Sequence, residues 1–254
     1  MHRALRALAR FAALVLVVAG LSTPTRDAGA TWIEPAAPPA AYPLAVMSFN
    51  VCGGVCRRGE VARTAAFTTS TALRHQASVV LLQELCLRQY RRIRSVLAGH
   101  GYIGRFAATT RSRACGGAFG VALLVRGSTS GTLVNRLPVR RGLEPRVLLG
   151  THLDVGGRRT LVAVVHLSPS AHAGLPNQLR AVAGYLDRPA IIGGDFNAVP
   201  THPGMRPFYA RCVELDGRRR APTYDAGAKK IDYVFGSAGL VAAAGAESVS
   251  TTMS

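Results

Sequence analysis

The sequence is poor in acidic residues: 13 aspartates and glutamates stand against 31 lysines and arginines, a formal net charge of +18. Lysine is scarcer still. Lys229 and Lys230 are the only two, so arginine carries the positive charge. Such a surplus concentrates polyanions at a protein surface and makes the attraction salt-dependent. An Arg-, Ala- and Gly-rich composition is also what a GC-rich genome produces, so charge supports a phosphate-bearing partner without choosing one. Trp32 is the only tryptophan, and no Trp/Phe-rich loop suggests a membrane-inserting hairpin. The cysteines lack the tight Cys-x-x-Cys spacing of a zinc knuckle. No internal repeat is present, and only one linker is evident.

What is present at the N-terminus has the three parts of a secretory signal. Arg3, Arg6 and Arg10 precede an apolar run over residues 11–21, and the small triplet Ala28-Gly29-Ala30 follows. A run of eleven residues is too short for a membrane anchor, which needs about 20. Residues 1–30 are therefore expected to be an export leader, with Thr31 as the mature start and no stable membrane anchor. Its removal takes away four arginines and one aspartate, leaving +15. Residues 31–43 hold Pro35, Pro38, Pro39 and Pro43 among alanines and read as an extended linker. Residues 44–254 then form one domain, large enough to bury a sizeable core. Export places Cys52, Cys56, Cys86, Cys115 and Cys212 in an oxidising compartment. The expected bridges are Cys52 to Cys56 and Cys86 to Cys115, with Cys212 free, although sequence alone does not fix connectivity.

Short apolar runs predict buried strands at 44–49, 78–83, 119–125, 146–150, 160–165, 190–193 and 231–235. Helical spacing of apolar residues appears at 60–74, 87–97 and 177–186. Strands and helices alternate early, whereas 119–165 reads as consecutive strands. A mixed sheet, or two, covered by helices follows. Asn50, Glu84, His166 and Asp195 each stand just past an apolar strand, where side chains can converge in one crevice.

The chemistry of each position has a plain alternative. In Gly193-Gly194-Asp195-Phe196-Asn197, an acid and an amide two residues apart could activate water and grip a phosphate oxygen; the same residues also make ordinary turns. Here the glycines are read as turning the chain tightly. Glu84 is costly to desolvate unless it binds a cation or pairs with Arg88 on the next helix turn. His152 and His166 compete for one role, and His166 is favoured because a single helix separates it from Asp195. Asp232, inside an apolar strand, is an acid as awkward as Glu84.

Taken in order, Ser48-Phe49-Asn50, Leu82-Gln83-Glu84, Val165-His166-Leu167, Gly194-Asp195-Phe196-Asn197 and Ile231-Asp232-Tyr233-Val234-Phe235 resemble the motifs of the endonuclease/exonuclease/phosphatase family, which includes deoxyribonuclease I. The resemblance spans nearly all of the domain. It implies an α/β fold of two packed mixed β-sheets flanked by helices, a four-layer sandwich. It implies Mg²⁺, with Mn²⁺ or Ca²⁺ possible, at Glu84 with Asn50 beside it. Asp195 would orient or deprotonate the attacking water, Asn197 hold the scissile phosphate and His166 stabilise it. Asp232 would orient a second histidine. The family's terminal Ser-Asp-His motif is absent: the sequence stops at Ser254, where that serine belongs. The expectation is a chain cut short and nearly inactive until continued through Asp-His. The substrate expected is a polyanionic phosphate ester, DNA foremost, hydrolysed by a secreted monomer. The alternatives are a sphingomyelinase- or phosphatase-like enzyme, or a non-catalytic nucleic-acid-binding member of the fold.

Overall fold

A computed structural model describes residues 13–19, 43–169, 174–215, 222–224 and 228–249. The triplet Ala28-Gly29-Ala30, nearly all of the 31–43 linker and Ser254 lie outside the described residues.

Among the described residues, twelve strands form two six-stranded sheets. The first contains β1 (Ala13–Ala19), β2 (Leu44–Asn50), β3 (Val79–Cys86), β4 (Tyr102–Ser112), β5 (Gly117–Arg126) and β12 (Ala242–Val249), in the order β12-β1-β2-β3-β5-β4. The second contains β6 (Ser130–Leu137), β7 (Arg146–Val155), β8 (Arg158–His166), β9 (Ala190–Asp195), β10 (Cys212–Glu214) and β11 (Asp232–Ser237), in the order β10-β11-β9-β8-β7-β6. The helices are α1 (Ala62–Arg74), α2 (Leu87–Ala98), α3 (Leu175–Ala183) and α4 (Arg206–Arg211). The apolar run expected at the heart of the export leader supplies β1, antiparallel to both β2 and β12. Among the described residues no helix is long and apolar enough to cross a membrane.

Alternation along the strands builds four layers. In β3, Val79 and Leu81 face the second sheet, where they meet Leu149, Val164, Ile191 and Val234. Val80 and Leu82 face the other way and pack with Ile93 and Leu97 of α2. In the second sheet Ala163, Val165 and Ile192 turn outward to Leu179 and Val182 of α3 and Phe208 of α4. The interior strands are therefore apolar on both faces, which is why these segments read as continuous apolar runs. The order helix, sheet, sheet, helix is the four-layer sandwich.

Most elements run longer than their apolar cores suggested. Strand β3 continues to Cys86 because Glu84 sits in a bulge, with φ 54° and a register shift between Leu82 and Leu85. The helix expected at 177–186 begins at Leu175 and changes to a 3₁₀ turn at Gly184. Glu60 lies outside α1 but anchors it, its carboxylate accepting from the N–H groups of Arg63 and Thr64, a local fix for donors that no helix turn can satisfy. The bridges are Cys52–Cys56 and Cys86–Cys115, with Cys212 free.

Candidate active site

Strand register assembles the site before any side chain is considered. In the second sheet His166 pairs with Asp195, and Asp195 with Asp232. Strands β8, β9 and β11 thus set a histidine and two acids in one row. In the first sheet, Asn50 at the end of β2 pairs with Gln83, next to Glu84. The parallel pairs β2/β3 and β8/β9 finish at the same edge, and the two rows meet across the gap. Side-chain contacts close it: Asn50 Nδ2 donates to Glu84 Oε1 at 3.0 Å and to Asp195 Oδ2 at 3.1 Å.

Backbone N–H groups fix these orientations. The Cys52 N–H donates to Asn50 Oδ1 at 3.0 Å, so the amide oxygen must face the backbone and the NH₂ must face the acids. Asn50 is therefore a spacer between two carboxylates. The 52–56 disulfide closes the loop carrying that donor, and the Gly53 N–H donates to the Glu84 carbonyl at 2.8 Å. Glu84, with φ 54°, and Asn197, with φ 49°, occupy the left-handed region, a local strain often kept at functional positions.

The Gly-Gly-Asp-Phe-Asn run works differently from the tight turn expected. Gly193 and Gly194 lie within β9. A Cβ on Gly194 would come within 2.0 Å of the Val165 carbonyl, and one on Gly193 within 2.7 Å of Leu81. The glycines allow close approach of neighbouring strand and sheet, and the chain turns at Asn197 instead. Phe196 points outward, edge-on to Phe208 and Tyr233, which leaves Asp195 and Asn197 on the cleft side. The Asn197 N–H donates to Asp195 Oδ1 at 2.8 Å, and its Nδ2 to the Leu167 carbonyl at 2.9 Å.

These residues line a cleft of about 1060 Å³ shared with Arg111, Glu144, Arg146, His202 and Lys229. Glu84 does not pair with Arg88, whose Nε donates to the Cys115 carbonyl. His152 stands apart beside Arg159. His166 Nε2 lies 3.7 Å from Asp195 Oδ2 and 3.9 Å from Glu84 Oε1. His202, which also lines the cleft, accepts from the Gly204 N–H through Nδ1 and caps a 3₁₀ turn. Sequence reasoning assigned nothing to Glu144 and Arg146, nor to Thr223, whose hydroxyl accepts from the Asp232 N–H at 3.0 Å. An arginine opening a buried strand was the available signal for Arg146.

Burial dominates the electrostatics. It raises the Glu84 carboxyl above its usual range against the Asn50 hydrogen bond, and raises Asp195 to about 7. Asp232 is pushed well up by burial and then by the Asp195 charge. Burial and the Arg146 charge push His166 down. Acids so placed draw a cation.

The profile of the Endonuclease/Exonuclease/phosphatase family matches residues 47–254. The chain belongs to this family. Its members are hydrolases of phosphate esters and generally use divalent metal ions. No curated protein matches the sequence significantly. Among solved structures, the human Nocturnin catalytic domain with bound sulfate anion is 21% identical, covering 77% of this chain and 82% of its own, with a TM-score of 0.62. A mannosyl-6-phosphatase of Bacteroides thetaiotaomicron is 17% identical over 77% of this chain and 85% of its own, also at 0.62. Humanized TDP2 of D. rerio is 20% identical over 76% and 82%, at 0.58. At these identities the likeness is one of fold.

The residues present suit a hard divalent cation. Glu84 and Asp195 offer two neighbouring carboxylates beside an open cleft. Mg²⁺ commonly takes one or two carboxylates and fills its other positions with water and substrate phosphate. Among the described residues no group of three or more His, Cys, Asp or Glu forms a full protein cage.

Proposed function

We propose that the protein is an exported phosphodiesterase that hydrolyses nucleic acid, DNA foremost, with the aid of Mg²⁺. The observation that carries this reading is the meeting of Asn50 and Glu84 from one sheet with His166, Asp195 and Asp232 from the other in a single cleft. A divalent cation at Glu84, with Asn50 beside it, would supply charge neutralisation of the phosphate and the leaving oxygen.

Around that cation the chain's own groups divide the work. Asp195, held up to about 7 by burial, takes the proton of the attacking water near neutral pH. His166 Nε2 and the free N–H of the Asn197 amide donate to phosphoryl oxygens as negative charge builds there. Asp232 ends the row, where it would orient a histidine. Arg111 and Lys229 line the cleft and attract a polyanion. The two disulfides accord with an oxidising compartment. A phosphomonoesterase is the second reading, suggested by the fold shared with a mannosyl-6-phosphatase.

The test is hydrolysis of supercoiled DNA, bis(4-nitrophenyl) phosphate, 4-nitrophenyl phosphate and sphingomyelin in the presence of Mg²⁺. DNA should give the highest kcat/KM, with steep salt dependence. Glu84→Ala or Asp195→Ala should lower kcat by roughly a thousandfold or more. Wild-type turnover in Glu84→Ala, or a preference for the monoester or sphingomyelin, would overturn the assignment.

A further inference from the structure

Arg146 opens β7 beside the cleft and is more than nine-tenths buried. Its Nη1 lies 3.1 Å from His166 Nδ1. A guanidinium has five N–H donors and no acceptor, so the contact is a hydrogen bond only if Nδ1 brings a lone pair. The ring proton must then sit on Nε2. That is the atom turned toward the catalytic acids, 3.7 Å from Asp195 Oδ2 and 3.9 Å from Glu84 Oε1.

We propose that Arg146 is a positioning residue, which locks His166 as its Nε2–H tautomer and thereby makes it a fixed hydrogen-bond donor into the cleft. The tautomer follows from geometry alone; the donor's use on a phosphoryl oxygen rests on the phosphoesterase reading. The guanidinium is itself held in place. Its Nη2 lies 3.6 Å from Glu144 Oε2, and Glu144 Oε1 accepts from Thr109 Oγ1 at 3.2 Å. One polar chain therefore runs from β4 through the start of β7 to the end of β8. Arg146 Nε is buried and makes no hydrogen bond among the described residues. A bare buried donor opposes stability, so the placement favours orientation of the ring over strength of the fold.

The decisive measurement is a long-range ¹⁵N–¹H correlation spectrum of the histidine rings in the unliganded, full-length protein, with His166 identified by its loss in His166→Asn. The wild-type ring should show a single Nε2–H tautomer. Arg146→Met removes the donor to Nδ1, so the Nδ1–H form should appear. Arg146→Lys, which keeps a donor, should preserve the wild-type pattern. In turnover, Arg146→Met should lower kcat about a hundredfold with KM within about threefold, on the scale of one misaligned donor. A wild-type proton on Nδ1, or an unchanged ring spectrum in Arg146→Met, overturns the proposal. If Arg146→Met does not fold, the wild-type spectrum alone decides. Because the spectrum needs no substrate, it stands or falls separately from the substrate assignment.

Discussion

Two buried charged regions lie two residues apart in the chain, just before and at the start of β11, and are resolved in opposite ways. At Lys230 the ammonium meets Glu214 Oε1 at 2.9 Å, with both side chains only 1% exposed, and sits 5.0 Å over the Tyr233 ring. Charge there meets charge. At Asp232, and across the row at Asp195 and Glu84, hydrogen bonds among the described residues come from neutral donors: Thr223, the Asn197 N–H and Asn50. Burial lifts the pKa of all three acids. The first region is complete as it stands. The second is arranged for something that brings positive charge, and its excess carboxylate is the mark of function.

The comparison breaks most visibly at the complete pair. Lys230→Met should strand a buried carboxylate and lower unfolding stability by about 3–5 kcal/mol in a urea titration. A loss under about 1 kcal/mol would mean that the pair is not the closed unit described.

The acids should respond to pH in the opposite sense from salt-bridged carboxylates. Their folded pKa values lie above the unfolded ones, so these acids hold more protons in the folded state between about pH 4 and pH 7, and their contribution to stability falls as pH rises. His166, whose pKa burial lowers, contributes in the opposite sense, so the acid's share is read against Asp195→Asn. With Asp195 at about 7, cation-free wild type should lose roughly 2–4 kcal/mol more than Asp195→Asn between pH 5 and pH 8. Parallel profiles of the two proteins would remove the electrostatic argument for a cation.

Adding Mg²⁺ at pH 8 should recover about 2.7 kcal/mol at a hundredfold excess over its dissociation constant, and far less at pH 5. No shift in Tm with any divalent ion would leave the acids unexplained. The smallest effect sharpens the contrast. Glu84→Gln removes a buried charge and should leave the cation-free protein unchanged or about 1 kcal/mol more stable, while abolishing the Mg²⁺ response. The same type of substitution is thus damaging at the complete pair and tolerated at the open one.

The interior was the legible part of the sequence. Strands β2, β3, β8 and β9 are apolar on both faces, and their ends marked Asn50, Glu84, His166 and Asp195 directly. Edge strands carried no such signal. β6 alternates exposed and half-buried residues, and β4 mixes glycine, threonine and arginine, because each has a neighbouring strand on one side only. The bulge at Glu84 was also hidden, since a left-handed glutamate has no sequence signature of its own. Arg146 escaped for a different reason: its meaning lies in one nitrogen of a histidine twenty residues away, a relation created by register and not by any local motif.

The row formed by His166, Asp195 and Asp232 also constrains how such a protein can change over generations. Three adjacent strands deliver one residue each to the same level, and inserting or deleting a single residue in β8, β9 or β11 would turn the acid or the histidine to the opposite face. Substitutions elsewhere are cheap, as identities of 17–21% on a shared fold illustrate. Strand length is the heritable quantity that cannot drift, so variation in length should collect in the connecting loops.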